Sequence, residues 1–143
     1  MSYYTKLNPN GIVEALVIDE STTEGAVEML RKLISVDVIK PKQFYKAYVD
    51  YNCQCGLDPN PHNVEKHFAL KFKGKTQNAP LLLVSPITAG YGGSGPTACF
   101  QCLKLMGFIH GDMDDHPEIF QKRTFLNNGH ICEDPVVHLT YSK

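Results

Sequence analysis

The 143-residue chain contains no tryptophan, no long apolar run and no large excess of either charge. A membrane-spanning helix needs about 18 consecutive apolar residues, and no stretch of the sequence approaches that length. The formal net charge is −1, so neither a global basic field nor a nucleic-acid polymer as partner is expected. The first residues lack the basic-then-apolar pattern of a signal peptide, which predicts a cytoplasmic protein without a membrane partner.

Five cysteines are present, an odd number that predicts reduced thiols rather than a disulfide framework. Cys53-x-Cys55 and Cys99-x-x-Cys102 invite a zinc interpretation, but zinc usually takes four tetrahedral ligands from two well-spaced pairs. Cys99 and Cys102 share the apolar face of a predicted helix, where cysteine packs as a small hydrophobe. We therefore predict core or loop cysteines and no cofactor.

Length and composition predict a single compact α+β domain over residues 1–143, since 43% of the residues are hydrophobic and 20% are charged. We expect an antiparallel or mixed sheet packed by three or four short helices. Apolar periodicity predicts strands over residues 12–18, 66–73, 81–84 and 136–141. It predicts helices over residues 21–35, 42–51 and 96–106, with a further helix capped by Asp115.

Two of these helices have recognisable beginnings. Ser21 and Glu24 fit a capping box at the start of the first helix. Pro41 can open the helix over residues 42–51. The apolar stripe of that helix consists of Phe44, Tyr45, Tyr48 and Val49. We interpret the stripe as core, and a contact surface for a partner protein is the alternative.

Residues 81–107 form the most informative stretch, a buried strand followed by a glycine-rich turn and a short amphipathic helix. Glycines let a ligand approach the backbone, and a helix N-terminus offers unpaired N–H groups with partial positive charge. Together these features predict a cradle for a phosphate or another anion. The candidate ligand-binding residues are Tyr91, Gly92, Gly93, Ser94, Gly95 and Thr97. The alternative is a tight turn that only lets the helix pack on the sheet.

The sequence GYGGSGP at residues 90–96, between an apolar strand and a short helix, resembles the turn of an uncharacterised bacterial and phage domain family. Members often carry tryptophan before this motif, where the present chain has Ala89. The resemblance covers about residues 64–140 and is specific over the seven motif residues. It implies a prokaryotic or viral source. Because the family has no settled activity, the resemblance supplies no catalytic residues.

The loop after the glycine-turn helix has the densest group of metal-ligating residue types. The weak candidate ligands are Asp112, Asp114, Asp115 and His116. Carboxylates and imidazoles bind divalent metals, but neither H-E-x-x-H nor EF-hand spacing occurs. A solvated loop with a helix cap is the alternative. Ser94 resembles a catalytic nucleophile only superficially because G-x-S-x-G is absent, and we assign no catalytic residue.

Cationic side chains near the glycine turn could complete a phosphate site. The candidates are Lys71, Lys73, Lys75, Lys104, Lys122 and Arg123. We favour the simpler interpretation that the lysines alternating along residues 71–75 form a solvated face or protect a sheet edge.

The leading hypothesis is non-catalytic binding of a small phosphate-bearing ligand, such as a nucleotide or cyclic nucleotide signal, at the glycine turn. With the family resemblance, this suggests a phage protein that sequesters a host immune signal. One alternative is an inhibitor or accessory factor that contacts a host protein through the predicted aromatic helix. Another is a metal-dependent hydrolase built on the acidic loop. The identity of the ligand and assembly into a homo-oligomer stay open.

Overall fold

The structure is a computed structural model that describes residues 3–52, 68–90, 92–121, 125–127, 130–132 and 136–143. The helices α1 and α2 are Thr23–Ser35 and Ser94–Leu105. The strands β1 to β8 are Tyr3–Leu7, Val13–Asp19, Phe44–Asn52, Leu70–Gly74, Leu81–Ser85, Phe125–Asn127, His130–Cys132 and Val136–Ser142. Short 3-10 turns are Pro41–Gln43, Met113–Asp115 and Pro117–Ile119. These elements form one α+β domain.

Six strands form one mixed sheet in the order β1-β2-β5-β4-β3-β8, and β6 pairs with β7 separately. β2 and β5 run parallel, with Leu16 beside Leu82 and Ile18 beside Val84. The other neighbouring pairs of the large sheet are antiparallel. Because β2 and β5 are parallel neighbours, their carboxyl ends reach the same edge of the sheet, and a helix follows each of them.

Both helices pack on one face of this sheet. Their buried residues share a hydrophobic core with alternate residues of the central strands. The strands contribute Ile18, Ala47, Val49, Leu70, Phe72, Leu82 and Val84. The helices contribute Ala26, Val27, Leu30 and Leu33 from α1, and Ala98, Cys99, Cys102, Leu103 and Met106 from α2. The intervening strand residues point to the opposite face, here called the far face.

α1 begins at a threonine cap rather than at the capping box predicted from Ser21 and Glu24. The Thr22 backbone is extended, and its Oγ1 accepts a 3.0 Å hydrogen bond from the Gly25 N–H. Because glycine has no side chain to reach back to the cap, the reciprocal bond of a capping box cannot form. The helix ends at Ser35, as predicted.

The predicted helix over residues 42–51 is wrong. Pro41–Gln43 forms one 3-10 turn, and the chain continues as β3, which pairs with both β4 and β8. Ala47 and Val49 are buried beneath the helices, whereas Tyr48 between them faces the other way, as strand alternation requires. Aromatic and β-branched residues favour a strand when neighbours offer pairing, and here two neighbouring strands override the helical spacing.

The hairpin between β4 and β5 is confirmed, with Leu70 opposite Val84 and Phe72 opposite Leu82. The final strand, β8, is confirmed as well. β4 lies between β5 and β3, so the interpretation that its lysines protect a sheet edge is wrong.

The helix predictions after β5 are confirmed only in part. α2 is present, and Gly107 ends it with a φ of +79°, the left-handed conformation that favours glycine. Asp115 does not cap a helix, because the next segment, Pro117–Ile119, is a 3-10 turn that begins after His116. The described residues contain two α-helices, so the three or four helices expected from the sequence are not confirmed.

Candidate anion-binding turn

The glycine turn joins the carboxyl end of β5 to the start of α2. Val84 and Ser85 are buried at the end of the strand. Gly90 has a φ of +92°, which favours glycine, and its N–H donates a 2.7 Å hydrogen bond to the Ile119 carbonyl. The beginning of the turn is therefore anchored to a segment that follows α2 in the chain.

The middle of the turn faces open space. Gly92, Gly93 and Ser94 are exposed. A Cβ atom built on Gly92 would meet no heavy atom within 4 Å beyond its chain neighbours. Gly93 has extended backbone angles, φ 173° and ψ −170°, and is the cap residue of α2. A ligand can therefore approach the main chain at Gly92 without displacing a side chain of the described residues.

α2 starts with main-chain N–H groups that the helix itself does not use. Its first internal bond is donated by the Thr97 N–H to the Gly93 carbonyl at 3.2 Å. The N–H groups of Ser94 and Gly95 precede that bond and have no acceptor within the helix, and Pro96 has no N–H. No side chain among the described residues caps this end. The helix dipole adds partial positive charge there, so the end is suited to an anion.

The predicted ligand-binding residues that lie together at the surface are Gly92, Gly93 and Ser94. Gly95 is buried at the helix start. Thr97 is half-buried, and its hydroxyl donates a 2.8 Å hydrogen bond to the Gly93 carbonyl, which leaves it no proton for a ligand. Tyr91 lies outside the described residues. The site that remains is made mainly of backbone.

The lysines of β4 lie away from this turn. The turn follows Ser85, at one end of β5, whereas Lys71 is beside Leu83 in the middle of that strand. Lys73, two residues further along the antiparallel β4, lies towards the opposite end of the sheet. Neither lysine is therefore placed to contact an anion at the start of α2.

The other cationic candidates do not complete the turn either. The Lys75 ammonium lies 5.4 Å from the centre of the Tyr45 ring. The Lys104 ammonium donates a 3.0 Å hydrogen bond to the Gly111 carbonyl, beyond the C-terminal end of α2. Lys122 and Arg123 lie outside the described residues. Main-chain N–H groups and the exposed Ser94 hydroxyl are thus the donors that the described part of the chain offers an anion here.

Cys99 and Cys102 are free thiols buried on the inner face of α2, as predicted. Burial, with a smaller contribution from Cys102, raises the pKa of Cys99 far above its ordinary range. Burial also raises the pKa of Cys102 to about 12. Both groups are therefore protonated at neutral pH, whereas the thiolate is the form that binds metals. Cys53 and Cys55 lie outside the described residues.

The acidic loop uses its side chains to hold its own backbone. The Asp112 N–H donates a 2.8 Å hydrogen bond to Asp115 Oδ2. Gly111 has a φ of +88°, and a Cβ atom there would collide with the same carboxylate. His116 Nε2 lies 2.8 Å from the His110 carbonyl oxygen. Within the described residues, no group of three or more His, Cys, Asp or Glu side chains is arranged to hold a metal ion.

Three polar side chains form a network next to the segment that anchors the turn, and no local pattern in the sequence predicts this network. Tyr141 of β8 donates a 2.8 Å hydrogen bond to Glu118 Oε1, and His116 Nδ1 lies 3.5 Å from the same oxygen. Burial raises the pKa of Glu118, but hydrogen bonds from its own backbone, Tyr141 and His116 outweigh it and leave the pKa lowered. Glu118 precedes Ile119, whose carbonyl accepts the hydrogen bond from the Gly90 N–H. The three side chains therefore stabilise the segment that anchors the turn.

Comparisons with protein-family models, with curated proteins and with solved structures find no significant match. Neither helix in the described part of the chain is long and apolar enough to cross a bilayer.

Proposed function

We propose that the turn between β5 and α2 binds a small phosphate-bearing ligand without transforming it. The observation that carries the proposal is the start of α2, where an exposed glycine is the cap residue and no described side chain supplies the cap. Unused N–H groups and the helix dipole favour negative charge at such a position. A nucleotide or cyclic nucleotide is the ligand class we favour, and capture of a host signal would follow if the source is a phage.

The hydrogen-bond donors at this turn are neutral, and their neutrality determines the expected strength of binding and its dependence on salt. A helix N-terminus stabilises an anion by roughly 0.3–2 kcal/mol, and charge-assisted hydrogen bonds from N–H groups add to that. Because the described lysines lie elsewhere, few counterions are displaced, and the affinity should depend only weakly on salt. Within the described residues no hydrogen bond joins Ser94 to a histidine, so a serine nucleophile activated by a base is not supported.

The two alternatives have less support. The inhibitor hypothesis requires an aromatic helix over residues 42–51, but β3 occupies most of that segment, and its Phe44 and Tyr48 are half-buried. The hydrolase hypothesis requires metal-binding carboxylates in the acidic loop. There the Asp115 carboxylate already accepts a hydrogen bond from the Asp112 N–H.

Gly93→Asp tests the proposal because aspartate is a strong helix cap, and its carboxylate would occupy the position of the ligand's anion. Isothermal titration calorimetry with inorganic phosphate, AMP and cyclic AMP measures the affinity. We expect the wild-type protein to bind at least one of these, and Gly93→Asp to weaken that binding by about tenfold or more. The melting temperature should stay unchanged or rise, since aspartate caps a helix better than glycine.

Gln101→Glu is the matched control. It adds the same single charge to an exposed position of α2, about two turns beyond the cap. This variant should bind as the wild-type protein does. Absence of binding by the wild-type protein, or equal affinity in Gly93→Asp, would contradict the proposal.

A further inference from the structure

Three lysines meet on the far face of the sheet. Lys46 of β3 lies directly opposite Lys73 of β4, and Tyr48 lies opposite Lys71. Phe72, between the two lysines of β4, is buried beneath the helices, so strand alternation turns Lys71 and Lys73 to the far face. Lys46, Lys71 and Lys73 are here called the lysine cluster.

Neither edge protection nor ion pairing among the described residues explains the lysine cluster. β3 and β4 are interior strands, whereas protective lysines occur on edge strands. Like charges directly opposite each other destabilise a sheet. Among the described residues, no carboxylate forms an ion pair with any of the three lysines. Within the described residues, the repulsion between Lys46 and Lys73 is therefore not offset by a carboxylate, and an anion held beside them would reduce it.

A cavity of about 380 Å³ lies beside the lysine cluster. Its lining includes Tyr48, Asp50, Lys71, Lys73, Leu81 and Thr140. The volume falls near the lower end of the range for small-molecule sites, about 300–1,000 Å³. Lys71 and Lys73 are half-buried, so their charges act in a lower dielectric than that of bulk water and attract an anion more strongly.

Charge is distributed unevenly along this cavity. Lys46, Tyr48 and Asp50 follow one another at alternate positions of β3, so Asp50 lies on the side away from Lys46. Lys73 is opposite Lys46, and Lys71 is opposite Tyr48. The end of the cavity at Lys73 is therefore the positive end, where an anionic group of a ligand would lie.

We propose that this cavity binds the phosphate monoester of a small organic molecule. Lys71 and Lys73 hold the phosphate, with Lys46 at the rim, while Tyr48 and Leu81 contact the organic part. A phosphate dianion offsets the repulsion within the lysine cluster, which a neutral ligand cannot do. The site is separate from the β5–α2 turn because Lys73 lies towards the opposite end of the sheet.

Titration of the ¹⁵N-labelled protein with ribose 5-phosphate, followed by NMR at about 50 mM salt, tests the proposal. We expect saturable shifts of β3 and β4 amide signals, and no such shifts with ribose, which lacks the phosphate. The double variant Lys71→Gln/Lys73→Gln should bind at least about tenfold more weakly. Lys32→Gln/Lys42→Gln removes the same charge from exposed positions outside the cavity and should bind as the wild-type protein does.

Melting temperatures check that the lysine variant is folded. Without ligand at low salt, Lys71→Gln/Lys73→Gln should melt at the wild-type temperature or higher, because the repulsion with Lys46 is removed. Ribose 5-phosphate should raise the melting temperature of the wild-type protein but not that of this variant.

Gly93→Asp separates this site from the β5–α2 turn, since it should leave ribose 5-phosphate binding at the lysine cluster unchanged. Three results would overturn the proposal. They are no saturable shifts, undiminished binding by the lysine double variant, and binding that is lost in Gly93→Asp but kept in the lysine double variant.

Discussion

The parallel strands β2 and β5 end at the same edge of the sheet, and each leads into a helix on the same face. The turn after β2 is closed by its own side chains. Thr22 caps α1 through the Gly25 N–H, and a Cβ atom on Gly25 would lie 3.4 Å from Glu20 Oε2. The turn after β5 has an exposed glycine as its cap residue. It is anchored by a segment that follows α2, where the Ile119 carbonyl accepts a hydrogen bond from the Gly90 N–H.

A helix N-terminus at this edge of the sheet is not by itself a binding site. α1 has Glu24 in its first turn and a threonine cap, so its positive end is already supplied with acceptors. α2 has no acidic residue in its first turn, and no described side chain caps it. The two turns occupy equivalent places after parallel strands. The difference in capping between α1 and α2 therefore comes from the side chains rather than from the topology.

The largest effect on stability is expected at the hydrogen bond between Tyr141 and Glu118, which stabilises the segment that anchors the β5–α2 turn. Tyr141→Phe removes the hydroxyl that donates to Glu118 and keeps the ring. Hydrogen bonds to charged groups contribute about 1.5–3 kcal/mol, so we expect the free energy of unfolding to fall by about 1.5 kcal/mol at this half-buried position. Urea denaturation measures the change. Tyr45→Phe, at an exposed tyrosine, is the control and should change it by less than about 0.5 kcal/mol.

The effect of Tyr141→Phe should also depend on pH. Because the folded-state pKa of Glu118 is lowered, its contribution is complete above the ordinary glutamate pKa and is lost as the pH falls through the folded-state value. The difference between the wild-type protein and Tyr141→Phe should therefore be full near pH 7 and smaller at about pH 3. A difference that stays constant over this range would show that Tyr141 does not depend on an ionised Glu118.

A smaller effect is expected at the closed turn. Thr22→Ala removes the acceptor of the Gly25 N–H and should lower the free energy of unfolding by about 1 kcal/mol, the usual cost of losing a cap. Ser21→Ala, one residue earlier, should cost less than about 0.5 kcal/mol. Urea denaturation of both variants decides between the observed cap and the one predicted from the sequence. An equal or larger cost at Ser21 would favour the capping box.

Sequence patterns predicted those parts of the fold whose determinants are close together in the chain. The β4–β5 hairpin, α1 and the buried face of α2 all follow from the spacing of apolar residues. β3 was missed because its aromatic residues fit helical spacing as well as strand alternation. Pairing with β4 and β8 decides between the two, and β8 is far away in the sequence.

The candidate site, too, was predictable only where its determinants are close together in the sequence. The glycines and the helix start were predictable from residues 90–96 because turn chemistry is local. Which N–H groups stay unused was not predictable, since the acceptor of the Gly90 N–H comes from Ile119 in another segment. The place of Lys71 and Lys73 was not predictable either, because it depends on a strand order that puts β4 inside the sheet.

The smallest effect is expected at Gly92, in the open part of the β5–α2 turn. Gly92→Ala should change the free energy of unfolding by less than about 0.5 kcal/mol, because the added methyl group meets nothing within 4 Å beyond its chain neighbours. Gly111→Ala is the contrasting substitution. The φ of Gly111 is +88°, and the new methyl group would collide with Asp115, so it should cost at least about 1 kcal/mol.

Urea denaturation of these two alanine variants bears on the difference between the two strand-to-helix turns. If Gly92→Ala costs as much as Gly111→Ala, the turn after β5 is packed rather than open, and it resembles the closed turn after β2. If Gly92→Ala leaves stability unchanged and alters the heat of phosphate binding, the methyl group is in contact with the ligand. A change in binding without a change in stability is what separates a ligand contact at this turn from a packing contact.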